Sequence, residues 1–291
     1  LQYPSADDDW WNNPTNLWEH VVVADSIVFD NETYTVTSVA ANAFYKSTEV
    51  KTIKLPNTIK EIGSYAFGYC TNLNSLNIPE GVKVINVGMF YVCKNLTSVR
   101  LPSTVESIGN QAFMDCVLLE EINIPGNCRN VGNDAFSWCV ALRTLTIEDG
   151  VMPLELGYAY DFGPMWQTNM EPYYYASKFY RGLFNDCPLK NLYVGRNLEY
   201  DNVGKLQSPF EFCTAKTDSN GKLIYLRNGK YYNEVKFGNM VSEIHSYLFN
   251  NAQLSEIVLP DSLIMIGERA FYNAITQSSI TIPEKCDSIG D

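Results

Sequence analysis

The residues from Ala66 to Gly88 read AFGYCTNLNSLNIPEGVKVINVG, and this stretch decides the fold. Its phenylalanine recurs at intervals of 23 residues, at Phe44, Phe67, Phe90, Phe113 and Phe136, and four of these five follow an alanine. Weaker copies stand at Phe184, Phe210, Phe249 and Phe271. A fixed period of about 20–50 residues is typical of a solenoid whose repeats stack on one another. The sequence therefore predicts a stack of nine turns.

Each turn combines two periodicities. The Leu-x-x-Ile-x-Ile segment alternates inward and outward like a strand, and a proline ends it at Pro56, Pro79, Pro102, Pro125, Pro260 and Pro283. The Ala-Phe-x-x-Cys segment follows an Ile-Gly or Val-Gly corner and brings Phe and Cys inward three residues apart. That spacing predicts one short helical turn, of the 3₁₀ type.

This motif resembles the BspA-like (Treponema-type) leucine-rich repeat, which is common in surface proteins of Bacteroides and related anaerobes. The resemblance covers about Val36 to the last residue, and Leu183–Leu189, Gly195–Leu198 and Ser208–Phe210 look like an irregular turn of that family. It implies a leucine-rich-repeat solenoid of the α/β horseshoe type, with mostly short parallel strands. It also implies a secreted or surface-anchored protein that acts in adhesion or host contact. The family has no uniform ligand, so the resemblance implies none.

Two domains are expected. Residues 1–35 form an N-terminal segment with a hairpin cap, because Ser26–Phe29 and Tyr34–Val36 flank the turn residues Asp30 and Asn31. Residues 36–291 form the array, with insertions at about 151–180 and 214–234. In the second insertion, turn residues at 218–221 and 228–229 flank an apolar segment, which predicts a projecting hairpin.

Composition and charge exclude several classes of function. The net charge of −12 with 21 Lys and Arg argues against nucleic-acid binding, which needs clustered basic side chains. No apolar run reaches the roughly 18 residues of a membrane helix, so no membrane span is expected.

The cysteines and histidines give no sign of catalysis or metal binding. Six of the eight cysteines follow the repeat Phe by three residues, and Cys128 and Cys286 occupy another inward column. Neighbours in such columns lie about 4.8 Å apart and parallel, which favours buried free thiols over disulfides. His20 and His245 have no partner at a known catalytic spacing, and Asp7-Asp8-Asp9 lacks a calcium-loop pattern. No cofactor, metal site or catalytic residue is predicted, although a glycosidase-type carboxylate pair stays open.

The strand face is small and polar in two outward lines, and neither line carries the aromatic anchors of a tight interface. The first line is Thr52, Ser75, Ser98, Glu121, Thr144, Asn191, Glu234, Glu256 and Ser279, and the second is Lys54, Asn77, Arg100, Asn123, Thr146, Tyr193, Lys236, Val258 and Thr281.

Aromatic residues are concentrated instead in the insertion from Val151 to Tyr180, which carries nine of them in thirty residues. They either pack down on the solenoid or form a recognition site for protein or sugar. The candidate binding residues are Tyr158, Tyr160, Trp166, Tyr173, Tyr174 and Tyr175.

The predicted function is a non-enzymatic recognition module, extracellular or on the cell surface, for protein interaction or adhesion. Its partner is a protein or glycan on a host or neighbouring cell. A carbohydrate-binding module that uses the aromatic insertion and a structural spacer are the alternatives.

Overall fold

The computed structural model describes residues 19–159, 181–184, 186–200, 208–210, 213–217, 223–227, 230–277 and 279–290. These residues form short strands, which in chain order are β1 (His20–Val22), β2 (Ser26–Phe29), β3 (Glu32–Thr35), β4 (Ser38–Val39), β5 (Thr52–Lys54), β6 (Glu61–Ile62), β7 (Ser75–Asn77), β8 (Val84–Ile85), β9 (Ser98–Arg100), β10 (Ser107–Ile108), β11 (Glu121–Ile124), β12 (Asn130–Val131), β13 (Thr144–Ile147), β14 (Leu154–Leu156), β15 (Tyr158–Ala159), β16 (Arg181–Gly182), β17 (Asn191–Arg196), β18 (Leu198–Glu199), β19 (Cys213–Thr217), β20 (Leu223–Arg227), β21 (Lys230–Met240), β22 (Glu243–Ile244), β23 (Ala252–Val258), β24 (Met265–Ile266), β25 (Ile275–Thr276) and β26 (Ser288–Ile289).

Successive turns of the chain stack and pair in parallel, with a front and a back strand in most turns. The front strands form two sheets, in the orders β1-β5-β7-β9 and β11-β13-β17-β21-β23-β25. The back strands form the sheets β4-β6, β18-β14-β12-β10-β8 and β22-β24-β26. Equivalent repeat positions are in register, as when Ser75 pairs with both Thr52 and Ser98. The stacked solenoid predicted from the repeat is confirmed.

A single turn shows how the sequence produces the two strands. In and just after β7, Leu76 and Ile78 point into the core while Ser75 and Asn77 are exposed. Pro79 follows, and its carbonyl accepts a hydrogen bond from the amide of Val82 at 3.3 Å, which turns the chain towards β8. Because proline has no N–H for a sheet ladder, the front strand ends before this proline in the turns of Phe44, Phe67, Phe90 and Phe113.

The corner before each front strand differs from the prediction, because the described residues form no helix. The amide of Phe67 donates to the carbonyl of Met89 in the next turn at 3.0 Å, whereas the amide of Gly68 donates to the carbonyl of Tyr65 at 2.9 Å. A 3₁₀ helix needs the second kind of bond at successive residues. Alternate amides are used between turns instead, so the 3₁₀ turns and the helical part of the α/β horseshoe assignment were wrong.

The repeat phenylalanines form a continuous column in the core. Phe90, Phe113 and Phe136 stack with ring centroids 5.2 Å apart, and Phe184 continues the column at the same distance from Phe136. All four side chains are fully buried. The long segment between Phe136 and Phe184 therefore does not interrupt the column of rings in the core.

The structure refines where the two insertions leave the array. β14 pairs with β12, so residues 154–156 belong to the stack, and the chain departs only at β15, which pairs antiparallel with β16. β21 pairs with β23 from Lys230 onward, so residues 230–234 also belong to the stack. β19 and β20 lie between β18 and β21 in the chain and form an antiparallel hairpin.

The two ends of the described array are exposed. β2 and β3 form an antiparallel hairpin, with Asp30 and Asn31 at φ of 51° and 63°, as a tight two-residue turn requires. All side chains of that hairpin are exposed, and β1 is the edge strand of the front sheet. In the last turn the strand pairing falls on β25, whereas Ser279 and Thr281, assigned to the outward lines, lie outside the described strands.

Candidate functional site

The aromatic insertion begins at a narrow neck. β15 and β16 pair through Tyr158 with Gly182 and Ala159 with Arg181. The backbone of Tyr158 thus lies in the neck, while its side chain is outside the described part. Tyr160, Trp166, Tyr173, Tyr174 and Tyr175 also lie outside the described residues. Their role in binding stays a prediction.

A groove of about 420 Å³ lies along the turns that precede the back strands β8, β10 and β12, beside the start of this insertion. Val151 and Met152 form an apolar lip, with 84% and 58% of their surfaces exposed. Lys83, Glu106 and Arg129 are its charged residues, and the ion pair of Lys83 with Glu106 at 2.8 Å lowers the pKa of that carboxyl. The groove is open, and its charges already pair with each other.

The front face carries the polar line expected from the sequence. Glu121, Thr144, Asn191, Glu234 and Glu256 stand in register across five strands. Side chains on this face also bind each other, since Lys236 pairs with Glu234 at 2.6 Å and Tyr193 donates to Asp149 at 2.8 Å. A face of small and internally paired side chains offers little surface for a tight contact.

A cluster of four tyrosines lies on the corner of the first turns, and we call it the tyrosine corner: Tyr45, Tyr65, Tyr69 and Tyr91. Their rings form a closed circuit of edge-to-face contacts, with neighbouring centroids 5.3–6.4 Å apart and interplanar angles of 70–88°. Tyr45 is 39% exposed, and the other three are half-buried. The corner is an aromatic surface on ordered backbone, in which the amides of all four tyrosines donate hydrogen bonds to backbone carbonyls.

Two glycines make room for these rings. A Cβ on Gly68 would lie 3.1 Å from the ring of Tyr45, and a Cβ on Gly88 would lie 2.2 Å from the ring of Tyr65. Gly88 also has a φ of 59°, which favours glycine. Any side chain at Gly88 would displace Tyr65, so the corner depends on glycine at this position.

Polar groups border the tyrosine corner. The hydroxyl of Tyr65 donates to Oε1 of Gln111 at 3.4 Å, and Lys94 lies 4.0 Å from the carboxylate of Asp115. Burial, together with Tyr69 and Tyr65, raises the pKa of Tyr91 to about 12. Its hydroxyl is therefore neutral at physiological pH.

Sequence reasoning missed this cluster because it followed the strand face and the insertion. The sequence does carry a signal, because each of the first three turns has tyrosine within two residues of its repeat Phe. Tyr45 and Tyr91 directly follow Phe44 and Phe90, and Tyr65 and Tyr69 stand two residues before and after Phe67. These side chains point outward at the corner. The 23-residue period does not show that side chains from different positions of the repeat meet there.

The described thiols of the repeat column are buried and donate hydrogen bonds to backbone carbonyls. Cys93, Cys116 and Cys139 are fully buried, and each thiol donates to a phenylalanine carbonyl of the preceding turn at 3.1–3.2 Å. Burial raises the pKa of Cys93 and Cys116 well above the ordinary value. Seven cysteines are free thiols, with Cys286 only half-buried, while the side chain of Cys213 lies outside the described residues. A thiol in this setting is a poor nucleophile.

The histidines occupy structural positions. Nδ1 of His20 lies 2.8 Å from Oγ1 of Thr52, and the ring of His245 packs against Tyr200 with centroids 4.2 Å apart. Over the ranges that the structure covers, no group of three or more His, Cys, Asp or Glu is placed to hold a metal ion.

Arg196, in an irregular turn, binds the backbone of the Pro125–Cys128 turn. Its buried guanidinium donates to the carbonyls of Pro125, Gly126 and Cys128 at 2.6–2.7 Å. Burial lowers the pKa of Arg196, and Cys128 and Glu148 oppose that shift. Its partners are backbone carbonyls, which makes it a structural contact in the array.

The fold and these surfaces define a repeat scaffold that presents side chains on fixed backbone. A family model described as the BspA type leucine rich repeat region matches residues 26–158 and 226–291 in six copies, which is more than half of the chain. The chain belongs to this leucine-rich-repeat family. Members of this family are repeat scaffolds, which suit protein interaction or a structural role.

Comparison with solved structures finds leucine-rich-repeat proteins from several bacteria. A leucine-rich repeat protein from Bacteroides ovatus is 20% identical, covers 93% of this chain and 82% of its own, and has a TM-score of 0.44. The Treponema pallidum leucine rich repeat protein is 23% identical over 48% of this chain and 73% of its own, with a TM-score of 0.43. A leucine rich cell surface protein from Faecalibacterium prausnitzii is 17% identical over 94% and 87%, with a TM-score of 0.36. No curated protein matches the chain.

None of the segments placed by the structure forms a long apolar helix of the kind that crosses a membrane.

Proposed function

We propose that this chain is a non-enzymatic recognition module, extracellular or on the cell surface, that binds a protein partner in adhesion. The tyrosine corner is the observation that carries this proposal. Its four rings are partly exposed and fixed by edge-to-face contacts on the backbone of three successive turns. Tyrosines held in this way supply contact area at low entropic cost, and they are enriched at the centres of protein interfaces.

The absence of an enzymatic role is part of the same proposal. Cys93 and Cys116 are buried, with thiol pKa values raised well above the ordinary one, and the two histidines contact a threonine and a tyrosine ring. Neither arrangement activates a nucleophile or a general base. The net charge of −12 supports a partner other than nucleic acid.

The aromatic insertion is proposed as a second contact surface, with Tyr158, Tyr160, Trp166, Tyr173, Tyr174 and Tyr175 as its binding residues. Its neck joins the stack between β14 and the buried pair Leu183 and Phe184, so the insertion leaves a rigid base. Loops that leave a rigid scaffold are the usual carriers of binding residues.

A panel of host-matrix and bacterial surface proteins, captured on a biosensor, tests the proposal. We expect at least one protein to bind, and we expect Tyr69→Ala or deletion of residues 160–180 to weaken that binding by at least about tenfold. Tyr272→Ala is the matched control, because Tyr272 is an exposed tyrosine in a later turn. Binding in a glycan array alone would favour the carbohydrate-binding alternative, and no binding in either screen would favour the structural spacer.

A further inference from the structure

The chain itself places a cation on the tyrosine corner. Nζ of Lys46 lies 5.4 Å from the ring centroid of Tyr45 and 5.8 Å from that of Tyr69. A ring face attracts an ammonium group within about 6 Å of its centroid. In the part of the chain that the structure covers, no carboxylate forms an ion pair with Lys46, so the rings are the partners that the structure gives to this ammonium.

The arrangement of the four rings suits a single small cation. Neighbouring rings are close to perpendicular, and their centroids mark a four-sided figure with sides of 5.3–6.4 Å. The Lys46 ammonium lies over two of these rings, Tyr45 and Tyr69, and this position shows where the cluster holds a cation. Gly68 lies against Tyr45 and Tyr65 and has no side chain to fill this space.

Charge also favours a cation over an anion. Aromatic faces carry the negative part of the ring quadrupole, which attracts a cation and repels an anion. Lys94, the other nearby cation, faces the carboxylate of Asp115 at 4.0 Å. The net charge of −12 adds a long-range attraction for positive ligands.

We infer that the tyrosine corner is a binding site for an organic ammonium group, which takes the position of the Lys46 ammonium over Tyr45 and Tyr69. Lys46 is exposed and has alternative positions in water, so it is an internal competitor that a ligand displaces. A methylated ammonium is less strongly hydrated than a primary one and loses less on leaving water. The group is present in a choline-type headgroup and, in its primary form, in a lysine side chain of a protein partner. This inference uses the same tyrosine corner as the proposed function and rests on it in that respect alone.

Titration of the full chain by NMR, with the tyrosine ring signals as the readout, tests this inference. The probes are choline, Nα-acetyl-lysine methylamide and 3,3-dimethylbutanol, the uncharged isostere of choline. We expect choline to bind with a dissociation constant of about 1 mM, and the uncharged isostere to bind at least about tenfold more weakly. A lysine derivative that binds better than choline would assign the site to a protein lysine, and the reverse order would assign it to a methylated headgroup.

Variants locate the site. Lys46→Met should tighten choline binding by about two- to fivefold, because it removes the internal competitor while keeping a side chain of similar length. Tyr69→Ala should weaken binding by at least about tenfold, whereas Tyr69→Phe keeps the ring and should stay within about twofold. Tyr272→Ala should have no effect. Thermal unfolding of each variant shows that the fold is intact.

Three results would overturn the inference: equal binding of choline and its uncharged isostere, no effect of Lys46→Met, or no shift of the tyrosine signals with any ammonium probe. A macromolecular partner that still binds in that case leaves the proposed recognition function standing. Conversely, choline binding without any macromolecular partner would support the ammonium site alone.

Discussion

The regular turns of Phe67 to Phe136 and the irregular turns of Phe184 to Phe249 build one core through different connections. In the regular turns each repeat has the same length, and the amides of Phe67, Phe90 and Phe113 all donate to the equivalent carbonyl of the following turn. In the irregular turns two segments leave the stack, yet Phe184 stacks on Phe136 at 5.2 Å, as Phe113 does. The comparison shows that the core columns fix the stack, and the repeat length does not.

The two regions also differ in the side chains that donate hydrogen bonds to backbone carbonyls at the turn after the front strand. In the regular Pro79–Val82 turn the carbonyl of Val82 accepts a hydrogen bond from the hydroxyl of Thr104 in the next repeat, at 2.8 Å. The equivalent carbonyl of Cys128 accepts instead from the guanidinium of Arg196, which lies 68 residues further along the chain and also donates to Pro125 and Gly126. One long side chain from an irregular turn thus supplies the donor that a short side chain of the next repeat supplies in a regular turn. An irregular turn is tolerated where some other group supplies its hydrogen-bond donors.

The largest expected effect is the loss of a ring from the regular column. Phe113→Ala should lower the free energy of unfolding by about 4 kcal/mol, because it leaves a cavity between two stacked rings. Phe44→Ala is the matched variant, since Phe44 is only half-buried at the start of the column, and it should cost clearly less. Urea unfolding followed by circular dichroism measures both. Equal losses would show that the column does not set the stability of the stack.

Arg196→Met should have the next largest effect. It leaves three buried carbonyls without their side-chain donor, and we expect a loss of about 3 kcal/mol in the free energy of unfolding. Arg100→Met, on the exposed front face, should change it by less than about 0.5 kcal/mol. A loss at Arg196 as small as that at Arg100 would contradict the role given to the guanidinium.

Alkaline pH should destabilise the cysteine column. Burial raises the pKa of Cys70 from 9.0 to about 12 and that of Cys128 to about 11, so the folded chain keeps protons that the unfolded chain loses. This contribution is fully present below pH 9 and is lost as the pH rises towards 11 or 12. The free energy of unfolding should fall by up to about 1.4 kcal/mol per pH unit for each such thiol.

Urea unfolding at pH 8 and pH 10 measures this loss. The double variant Cys70→Ala, Cys128→Ala should show a shallower fall than the parent chain, and buried tyrosines such as Tyr91 account for part of what remains. The same slope in both chains would show that the thiols do not carry the effect. Thiol titration in denaturant without reductant should find more than two free thiols per chain.

The smallest effect should come from the insertion. Replacing residues 160–180 by Asn-Gly joins Ala159 to Arg181 through a two-residue turn that fits the antiparallel neck. We expect the free energy of unfolding to change by less than about 1 kcal/mol, since the ring stack on either side is unaltered. A loss of several kcal/mol would mean that the insertion packs on the stack and is part of its core.

The repeat made the columns predictable, because a period of 23 residues places Phe67, Phe90 and Phe113 above one another whatever the local conformation. The repeat did not predict the backbone conformation of the corner between a back strand and the next front strand. The apolar spacing of Phe67 and Cys70 suits a helical turn and equally suits the alternating bonds that are observed. The choice depends on the carbonyl of Met89, which belongs to another turn.

The tyrosine corner was hidden for a related reason. Tyr65 and Tyr69 occupy different positions of one repeat, while Tyr45 and Tyr91 come from the turns on either side. No single column contains all four residues, so a search by column does not collect them. Arg196 likewise lies in an irregular turn that the sequence indicates. Its partners are backbone carbonyls of another turn, and backbone carbonyls leave no mark in the amino-acid sequence.

The bonds between corners all point the same way. The amides of Phe44, Phe67, Phe90, Phe113 and Phe249 each donate to a carbonyl of the following turn, and none of these bonds runs backwards. Peptide dipoles of roughly 3.5 D each therefore add along the axis of the stack, with N–H groups directed to later turns and carbonyls to earlier ones. The corner thus has an electrical polarity opposite in sense to that of an α-helix. One further turn, or one further molecule, can extend such a corner head to tail, while like ends would set donors against donors.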